Sequence, residues 1–213
     1  MMNSLNKKLL AIPLVIASCA QFEESTFAYA TRSISSYIAG GELPQISPET
    51  SNFTFASKFV RLGRGPYAMV VLAYDKDGEL EYVSNDGISL FFNKGILVRT
   101  IGFPNDFSRK FTSDYSILNF SSESKYQKIS LSNPFVAEMS VNVMLENKGI
   151  EIKEIYGKKT ELLLVQETIH LLDIRRKILN KYWIDTSTNK VLMSEVESIY
   201  NPKTYIVDFK QYN

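Results

Sequence analysis

Three glycine-containing turns at regular spacing constrain the fold of this chain most strongly. They lie at residues 75–78, 85–87 and 93–95, and the intervals between their glycines are nine and eight residues. Glycine adopts the positive φ that tight turns require, and each interval leaves room for a strand of about five or six residues. Apolar residues alternate along these intervals, as at Leu80 and Tyr82 and at Leu90 and Phe92. The pattern predicts an antiparallel meander.

Similar signals continue along the chain. A continuous apolar run at 67–72 predicts a buried strand, and Asn147-Lys148-Gly149 predicts a further hairpin turn. The Ser-, Asp- and Asn-rich stretch 102–126 is predicted to form loops. Later strands are predicted at 175–185, 190–200 and 203–212. About ten strands indicate an all-β fold, in which the antiparallel meander forms a barrel or a strongly curved sheet with one N-terminal α-helix.

The N-terminal region differs in character. Lys7 and Lys8 precede a short apolar run at 9–17, which is typical of a cleaved secretion signal. The run is too short to cross a bilayer, which takes roughly 20 apolar residues. A helix is predicted at about 25–39, packed against the β structure or plugging it, and a linker is predicted at 42–51.

The segment Ile16-Ala17-Ser18-Cys19 resembles the lipobox of bacterial lipoproteins. The resemblance implies cleavage before Cys19 and a covalent lipid on it, and Cys19 is the only cysteine of the chain. It divides the chain into a signal peptide (1–18), a tether (19–24) and a single β-rich domain (25–213). Ala20, rather than Asp, follows the cysteine, which implies sorting to the outer membrane with the domain facing the periplasm.

Composition and motifs exclude several classes of function. The formal net charge is +1, so the strong basic excess typical of a general nucleic-acid binder is absent. A single histidine and a single cysteine do not supply a common structural zinc site. No phosphate-binding loop or dinucleotide motif occurs. We therefore expect no metal and no cofactor apart from the covalent lipid.

The sequence lacks a catalytic constellation. His170 is the only histidine, and no nucleophile elbow occurs. Glu195 and Glu197 share a strand face, and paired carboxylates can hydrolyse glycosidic bonds, although neighbouring carboxylates on a strand are more often solvated. We predict a non-catalytic protein with no catalytic residue, and a polysaccharide hydrolase is the remote alternative.

Two charged residues occupy positions that alternation places toward the core. Glu167 lies on the apolar face of its strand, and Arg99 lies between Leu97 and Ile101. A buried ion is costly unless it is paired. We therefore predict that one or both point inward with a charged or multiply hydrogen-bonded partner, and Arg99 with Glu167 is the candidate buried pair. A structural pair and the polar floor of a ligand site both remain open.

Trp183 shares a predicted strand face with Lys177 and Lys181. An indole beside lysines can stack on sugar rings or bind an acidic polymer, so these three residues are candidate polymer contacts. The alternative is a Trp183 that packs at a barrel rim or under a loop.

Several short motifs follow one another after the lipobox and the predicted helix. An apolar strand at 69–73 precedes a glycine turn, an Arg-Thr-x-Gly segment begins at Arg99, and a Trp-x-Asp segment begins at Trp183. This order resembles the YjbF/GfcB-type lipoproteins of group 4 capsule and exopolysaccharide gene clusters. The resemblance implies an outer-membrane lipoprotein of β-rich fold, accessory to polysaccharide secretion, that binds the polysaccharide or another protein of the export cluster.

A carrier of a lipid or other amphiphile is the main alternative function. An open apolar cavity of several hundred Å³ inside the curved sheet would favour the carrier. A solid core with a surface groove lined by Trp183, Tyr and Lys would favour polymer binding.

Overall fold

A computed structural model of the protein describes residues 41–44, 52–111, 115–118 and 125–211. Twelve antiparallel strands form a closed barrel in which each strand pairs with its neighbours in sequence and the last pairs with the first. The strands are β1 (Ser57–Leu62), β2 (Tyr67–Lys76), β3 (Glu79–Val83), β4 (Ser89–Asn93), β5 (Ile96–Ile101), β6 (Phe107–Lys110), β7 (Lys125–Ser132), β8 (Phe135–Ile155), β9 (Lys158–Leu171), β10 (Arg176–Asp185), β11 (Lys190–Val196) and β12 (Thr204–Lys210).

The barrel predicted from the sequence is confirmed, with more strands than the ten or so expected. Among the described residues there is no helix, and none that could cross a membrane. The predicted signal peptide, tether and helix at 25–39, together with most of the predicted linker, lie outside the described residues.

The meander predicted from the three turns is confirmed as β2 to β5. Asp77 and Gly78 connect β2 to β3 with φ of 54° and 79°, and Lys94 and Gly95 connect β4 to β5 with φ of 49° and 80°. Two consecutive positive φ values are the signature of the type I′ hairpin turn, whose twist matches that of the strands.

The hairpin predicted at Asn147-Lys148-Gly149 is wrong. β8 runs through these residues, and a register shift between Asn147 and Gly149 marks a bulge. The Asn147 side chain accepts a hydrogen bond from the Gly149 amide (2.8 Å), and Gly149 has a φ of 91°. A bulge uses the same Asn and Gly conformations as a turn. The chain reverses instead at Tyr156 and Gly157.

β6 lies inside the stretch that was predicted to be loops. This four-residue strand pairs with β5 and with β7, and it therefore completes the barrel between them. It places Phe107 and Arg109 on the inner side of the barrel, where both line an internal cavity.

Large side chains fill the barrel interior. Tyr82 and Phe92 contact edge to face with ring centroids 5.4 Å apart, and Tyr182 is fully buried. Lys58 of β1 lies among these rings and is bonded to Asp208 of β12. This ion pair joins the first and last strands at the closure.

Beyond the end of β10, β8 and β9 continue as a two-stranded arm. β9 pairs with β10 only from Leu163 to Leu171, whereas it pairs with β8 over its whole length. We call residues 149–162 the β8–β9 arm. Its tip residue Tyr156 packs against Phe59 and Phe209, with ring centroids 6.1 and 5.5 Å away. These two rings lie on the outer face of β1 and β12, so the arm crosses the outside of the barrel.

Six connections lie at one end of the barrel, namely β1–β2, β3–β4, β5–β6, β7–β8, β9–β10 and β11–β12. Gly41 lies at this end, because its carbonyl accepts a hydrogen bond from Arg61 (2.6 Å) and its backbone lies against Gly65 in the β1–β2 turn. We call this end the Gly41 rim, and the opposite end, which carries the β8–β9 arm, the arm end.

Candidate functional site on the outer face of β2 to β5

The structure does not bring Arg99 and Glu167 together. Arg99 lies on the outer face of β5, where its Nη2 donates to Glu79 Oε1 (2.7 Å) and both side chains are partly exposed. Glu167 is fully buried, and its charged partner is Arg109. Phe91 pairs with Arg99 and the next residue, Phe92, pairs with Leu97, so Val98 is the extra residue of a bulge in β5, which places Leu97 inside and Arg99 outside.

Glu167 is held by several donors. Arg109 forms a bidentate ion pair with it, Nη2 to Oε1 at 2.5 Å and Nη1 to Oε2 at 3.0 Å. Tyr115 donates to Oε1, and Oε2 also accepts from Asn180 (2.8 Å) and Tyr182 (3.2 Å). Arg109 Nε also donates to Gln127 Oε1 (2.7 Å). Each buried charge thus has a charged and a neutral partner, which is the condition under which a buried ion pair is tolerated.

The electrostatics of this cluster favour the ionised pair. Burial alone would raise the pKa of Glu167, but the guanidinium of Arg109 and the hydrogen bonds from the phenol and amide hold that pKa below its ordinary value. Burial and the nearby carboxylate raise the pKa of Tyr115 and of Tyr182, so both stay neutral donors. The cluster is enclosed, and it fixes the interior rather than meeting a large ligand.

A small internal cavity adjoins the cluster. Its volume is about 30 Å³, and Arg109, Asn180, Phe107 and Ile178 are among the residues that line it. That space suits one or two water molecules. An alkyl chain does not fit there, so this cavity does not favour the carrier of a lipid.

Trp183 is closed off from solvent by the β8–β9 arm. Its indole Nε1 donates to Glu151 (2.9 Å), and the ammonium of Lys153 lies 4.5 Å from the ring centroid. Only 3% of Trp183 is exposed. Lys177 is exposed and Lys181 partly buried, but the predicted polymer contact through the indole is blocked. Trp183 instead packs under the β8–β9 arm.

The other predicted residues do not form a site here. Cys19 lies outside the described residues. Glu197 accepts a hydrogen bond from the Leu179 amide (3.0 Å), and Glu195 lies 3.6 Å from the Lys203 ammonium. Both carboxylates therefore have structural partners. Within the described part of the chain, no group of His, Cys, Asp and Glu side chains could hold a metal ion.

An open concavity lies on the outer face of β2 to β5, toward the arm end. This outer groove has a volume of about 730 Å³. Its lining comes from the end of β2, the β2–β3 turn and outward positions of β3 to β5, namely Tyr74, Asp75, Lys76, Asp77, Glu79, Glu81, Phe91, Asn93 and Arg99. Because the register pairs Glu79 with Asn93 and Glu81 with Phe91, these side chains form one continuous floor.

Aromatic and charged groups alternate in the outer groove. The guanidinium of Arg99 lies 3.5 Å from the centroid of the Phe91 ring, which it covers. Tyr74 stands at the edge with 69% of its surface exposed. The lining contains four carboxylates and two basic groups, so its formal charge is −2. An exposed aromatic face beside carboxylates and an amide can stack on the C–H face of a sugar ring and accept hydrogen bonds from its hydroxyls.

Sequence reasoning did not identify this groove. Of its residues only Arg99 was predicted to belong to a site, as a member of the candidate buried pair with Glu167. The available signal was the alternation in β3, where Glu79 and Glu81 flank Leu80 and must share the face opposite to it. The contribution of Tyr74 depends on a register shift in the β2–β3 pair, which no local pattern reveals.

Comparison with known proteins adds three findings. The family model described as group 4 capsule polysaccharide lipoprotein gfcB, YjbF matches residues 31–197. The chain is 36% identical over 53 residues to the uncharacterized lipoprotein YjbF of Escherichia coli K12, and this alignment spans 25% of each chain. The crystal structure of the hypothetical lipoprotein YmcC from Escherichia coli K12 superposes with a TM-score of 0.64 at 17% identity, covering 89% of this chain and 95% of that one.

The structural likeness shows a shared fold, and the family model matches well over half of the chain. The resemblance noted from the lipobox and the short motifs is therefore confirmed. This chain belongs to the YjbF family of group 4 capsule polysaccharide lipoproteins.

Proposed function

We propose that this protein is a non-catalytic accessory protein of capsule or exopolysaccharide export that binds the polysaccharide in the outer groove. A lipid on Cys19 would hold it at the periplasmic face of the outer membrane. The main support for the proposal is that the chain belongs to a family of capsule polysaccharide lipoproteins. The outer groove supplies a solvent-accessible surface on which a sugar segment can lie.

The chemistry of the groove favours neutral or amino sugars. With a formal charge of −2 in its lining, the groove would repel a segment rich in uronate or phosphate. Tyr74 offers a stacking face, while Glu81 and Asn93 offer hydrogen-bond acceptors that are not engaged by the Arg99–Glu79 ion pair. We therefore expect the bound segment to stack on Tyr74 and to donate hydroxyl or ammonium hydrogens to Glu81.

Binding of the purified polysaccharide tests this role directly. We expect Tyr74→Ala combined with Glu81→Gln to weaken binding by roughly thirtyfold to a thousandfold, because a lost stacking contact and a lost hydrogen bond to a charged group each remove about 1–2 kcal/mol. Tyr200→Ala is the matched control, since Tyr200 is an exposed tyrosine outside the groove. Equal binding by the groove variant and the wild-type protein would reject the groove as the site.

The cellular role is tested in a strain that lacks the gene. Secreted polysaccharide is measured after complementation with the wild type, the groove variant or Cys19→Ala. We expect export to fall in the deletion strain and to be restored only by the wild type. Normal export without the protein would remove the proposed process, and full rescue by Cys19→Ala would remove the need for the anchor.

A further inference from the structure

Exposed apolar side chains collect at the Gly41 rim. Five large ones lie at or beside its turns, and their exposed fractions are 46% for Ile101, 81% for Phe135, 49% for Leu172, 46% for Ile174 and 47% for Tyr200. Isolated exposed apolar residues are ordinary, but a contiguous set marks an interaction surface.

The five residues are neighbours around the rim, because they occupy four consecutive connections of the barrel. Ile101 precedes the β5–β6 turn, Phe135 follows the β7–β8 turn, Leu172 and Ile174 form the β9–β10 turn, and Tyr200 lies in the β11–β12 connection. We call these five residues the apolar arc.

Hydrogen bonds between the turns hold the arc in place. Arg176 Nη1 donates to the Ile199 carbonyl (2.7 Å), which joins the β9–β10 turn to the β11–β12 connection. Asn201 Nδ2 donates to the Asn105 carbonyl (2.6 Å), which joins that connection to the β5–β6 turn. Three of the four connections that carry the arc are therefore tied to one another.

Basic residues flank the middle of the arc. The β9–β10 hairpin carries Arg175, Arg176 and Lys177 against one acid, Asp173, and all four are exposed. Its local formal charge is +2, opposite in sign to the outer groove. Apolar side chains bordered by Arg and Lys match the boundary between acyl chains and anionic headgroups.

The path of the chain points to the same end. Gly41 is fixed at this rim by Arg61, and Cys19 precedes it by about 22 residues. A chain of that length spans at most ~75 Å when extended. A lipid on Cys19 is therefore joined to the barrel through a residue at the end that carries the apolar arc.

We propose that the Gly41 rim lies on the lipid bilayer, with the apolar arc in the headgroup region and the basic β9–β10 hairpin against anionic lipids. The proposal rests on the lipid anchor of the proposed function, but it does not depend on polysaccharide binding. It sets the orientation of the barrel, because the arm end and the outer groove then face away from the membrane.

The single cysteine makes the test direct. Acylated Cys19 carries no free thiol, so a cysteine introduced into the full chain is the only site for a thiol-reactive, polarity-sensitive fluorophore. Phe135→Cys reports on the arc, and Lys158→Cys, exposed in the β8–β9 arm, is the matched control. The acylated proteins are reconstituted in phosphatidylethanolamine vesicles with and without phosphatidylglycerol, and lipids with a quencher near the headgroup are added.

We expect the label at position 135 to emit at shorter wavelength and to be quenched, more strongly with phosphatidylglycerol and less at high salt, and the label at position 158 to remain in water. Leu172→Asp with Ile174→Asp should abolish the shift at position 135 while the buried Trp183 emission, which reports folding, is unchanged. A label at position 135 that stays in water in both vesicle types overturns the proposal and leaves the arc as a surface for a protein. An equal shift at both positions overturns it as well, since it would mean a different orientation.

Discussion

At the scale of single residues, the buried carboxylate of Glu167 dominates the energetics of the interior. Its ion pair with Arg109 is enclosed on all sides, whereas the pair between Arg99 and Glu79 is partly exposed. An exposed pair is worth at most about 1 kcal/mol. Removing one member of a buried pair is far more costly, because the other charge is left without compensation.

We predict that Arg109→Met lowers the free energy of unfolding by about 3–5 kcal/mol at pH 7. Replacing both partners, as Arg109→Met with Glu167→Met, should recover much of that loss because no unpaired charge remains. Arg99→Met is the control and should change stability by less than about 1 kcal/mol. Urea unfolding followed by Trp183 fluorescence measures all three, and equal losses for the Arg99 and Arg109 variants would contradict the prediction.

The same variants should differ in their pH dependence. In the wild type the pKa of Glu167 is lowered, so the unfolded state binds more protons in acid, and stability is lost as pH falls below about 4.3 through the folded-state pKa. In Arg109→Met the guanidinium is gone, and burial outweighs the remaining hydrogen bonds from Tyr115 and Asn180. The pKa of Glu167 is then raised, and stability is lost as pH rises above about 4.3. The cost of Arg109→Met should therefore shrink between pH 7 and pH 5, and a constant cost would contradict the charge assignment.

At the scale of elements, the sequence predicts the strands and turns that local residues determine, and it does not predict those that depend on pairing with distant strands. The β2–β5 meander was predictable because each turn needs only its own Gly and a short alternating strand. The inward position of Arg109 was not, because β6 has four residues and its face is fixed by pairing with β7 across a long connection. The β8–β9 arm was missed for a related reason, since Asn147 and Gly149 form a bulge with the conformations of a turn.

The tip of the arm offers a test of how the element is held. Tyr156 packs between Phe59 and Phe209, but its buried hydroxyl has no partner among the described groups. We predict that Tyr156→Ala costs about 2–4 kcal/mol through lost packing, while Tyr156→Phe is neutral or stabilising by up to about 1 kcal/mol, because an unpaired hydroxyl leaves the interior. Urea unfolding compares them, and a loss above 1 kcal/mol in Tyr156→Phe would refute the packing model.

At the scale of the whole molecule, closure of the barrel makes the two ends of the β sequence neighbours. Ser57 pairs with Lys210, and β1 contacts β12 along its length. The first strand is therefore no edge, and neither is the last. A short linker at the arm end could therefore connect the end of β12 to the start of β1.

We predict that a circular permutant folds when Lys210 is joined to Ser57 by a short Gly-Ser linker and the chain is opened at Gly78. Gly78 lies in an exposed two-residue turn, where new termini disturb little. Circular dichroism and urea unfolding should show β content and cooperativity close to those of the parent. A permutant opened inside β8, at Val141, is the control and should not fold, whereas failure of the Gly78 permutant would mean that closure depends on residues before β1.

The pairing of β1 with β12 also determines when the barrel can close during folding. Lys58 and Asp208 are 150 residues apart in the sequence. In a chain that folds from its N-terminus, β1 therefore cannot pair with β12 until almost all of the barrel sequence is present. Pairing over such a separation is slow, because the entropy cost of bringing the two strands together comes before the contacts that offset it. Until β12 is in place, β1 lacks its partner on that side and the sheet has two unpaired borders, which are prone to aggregation.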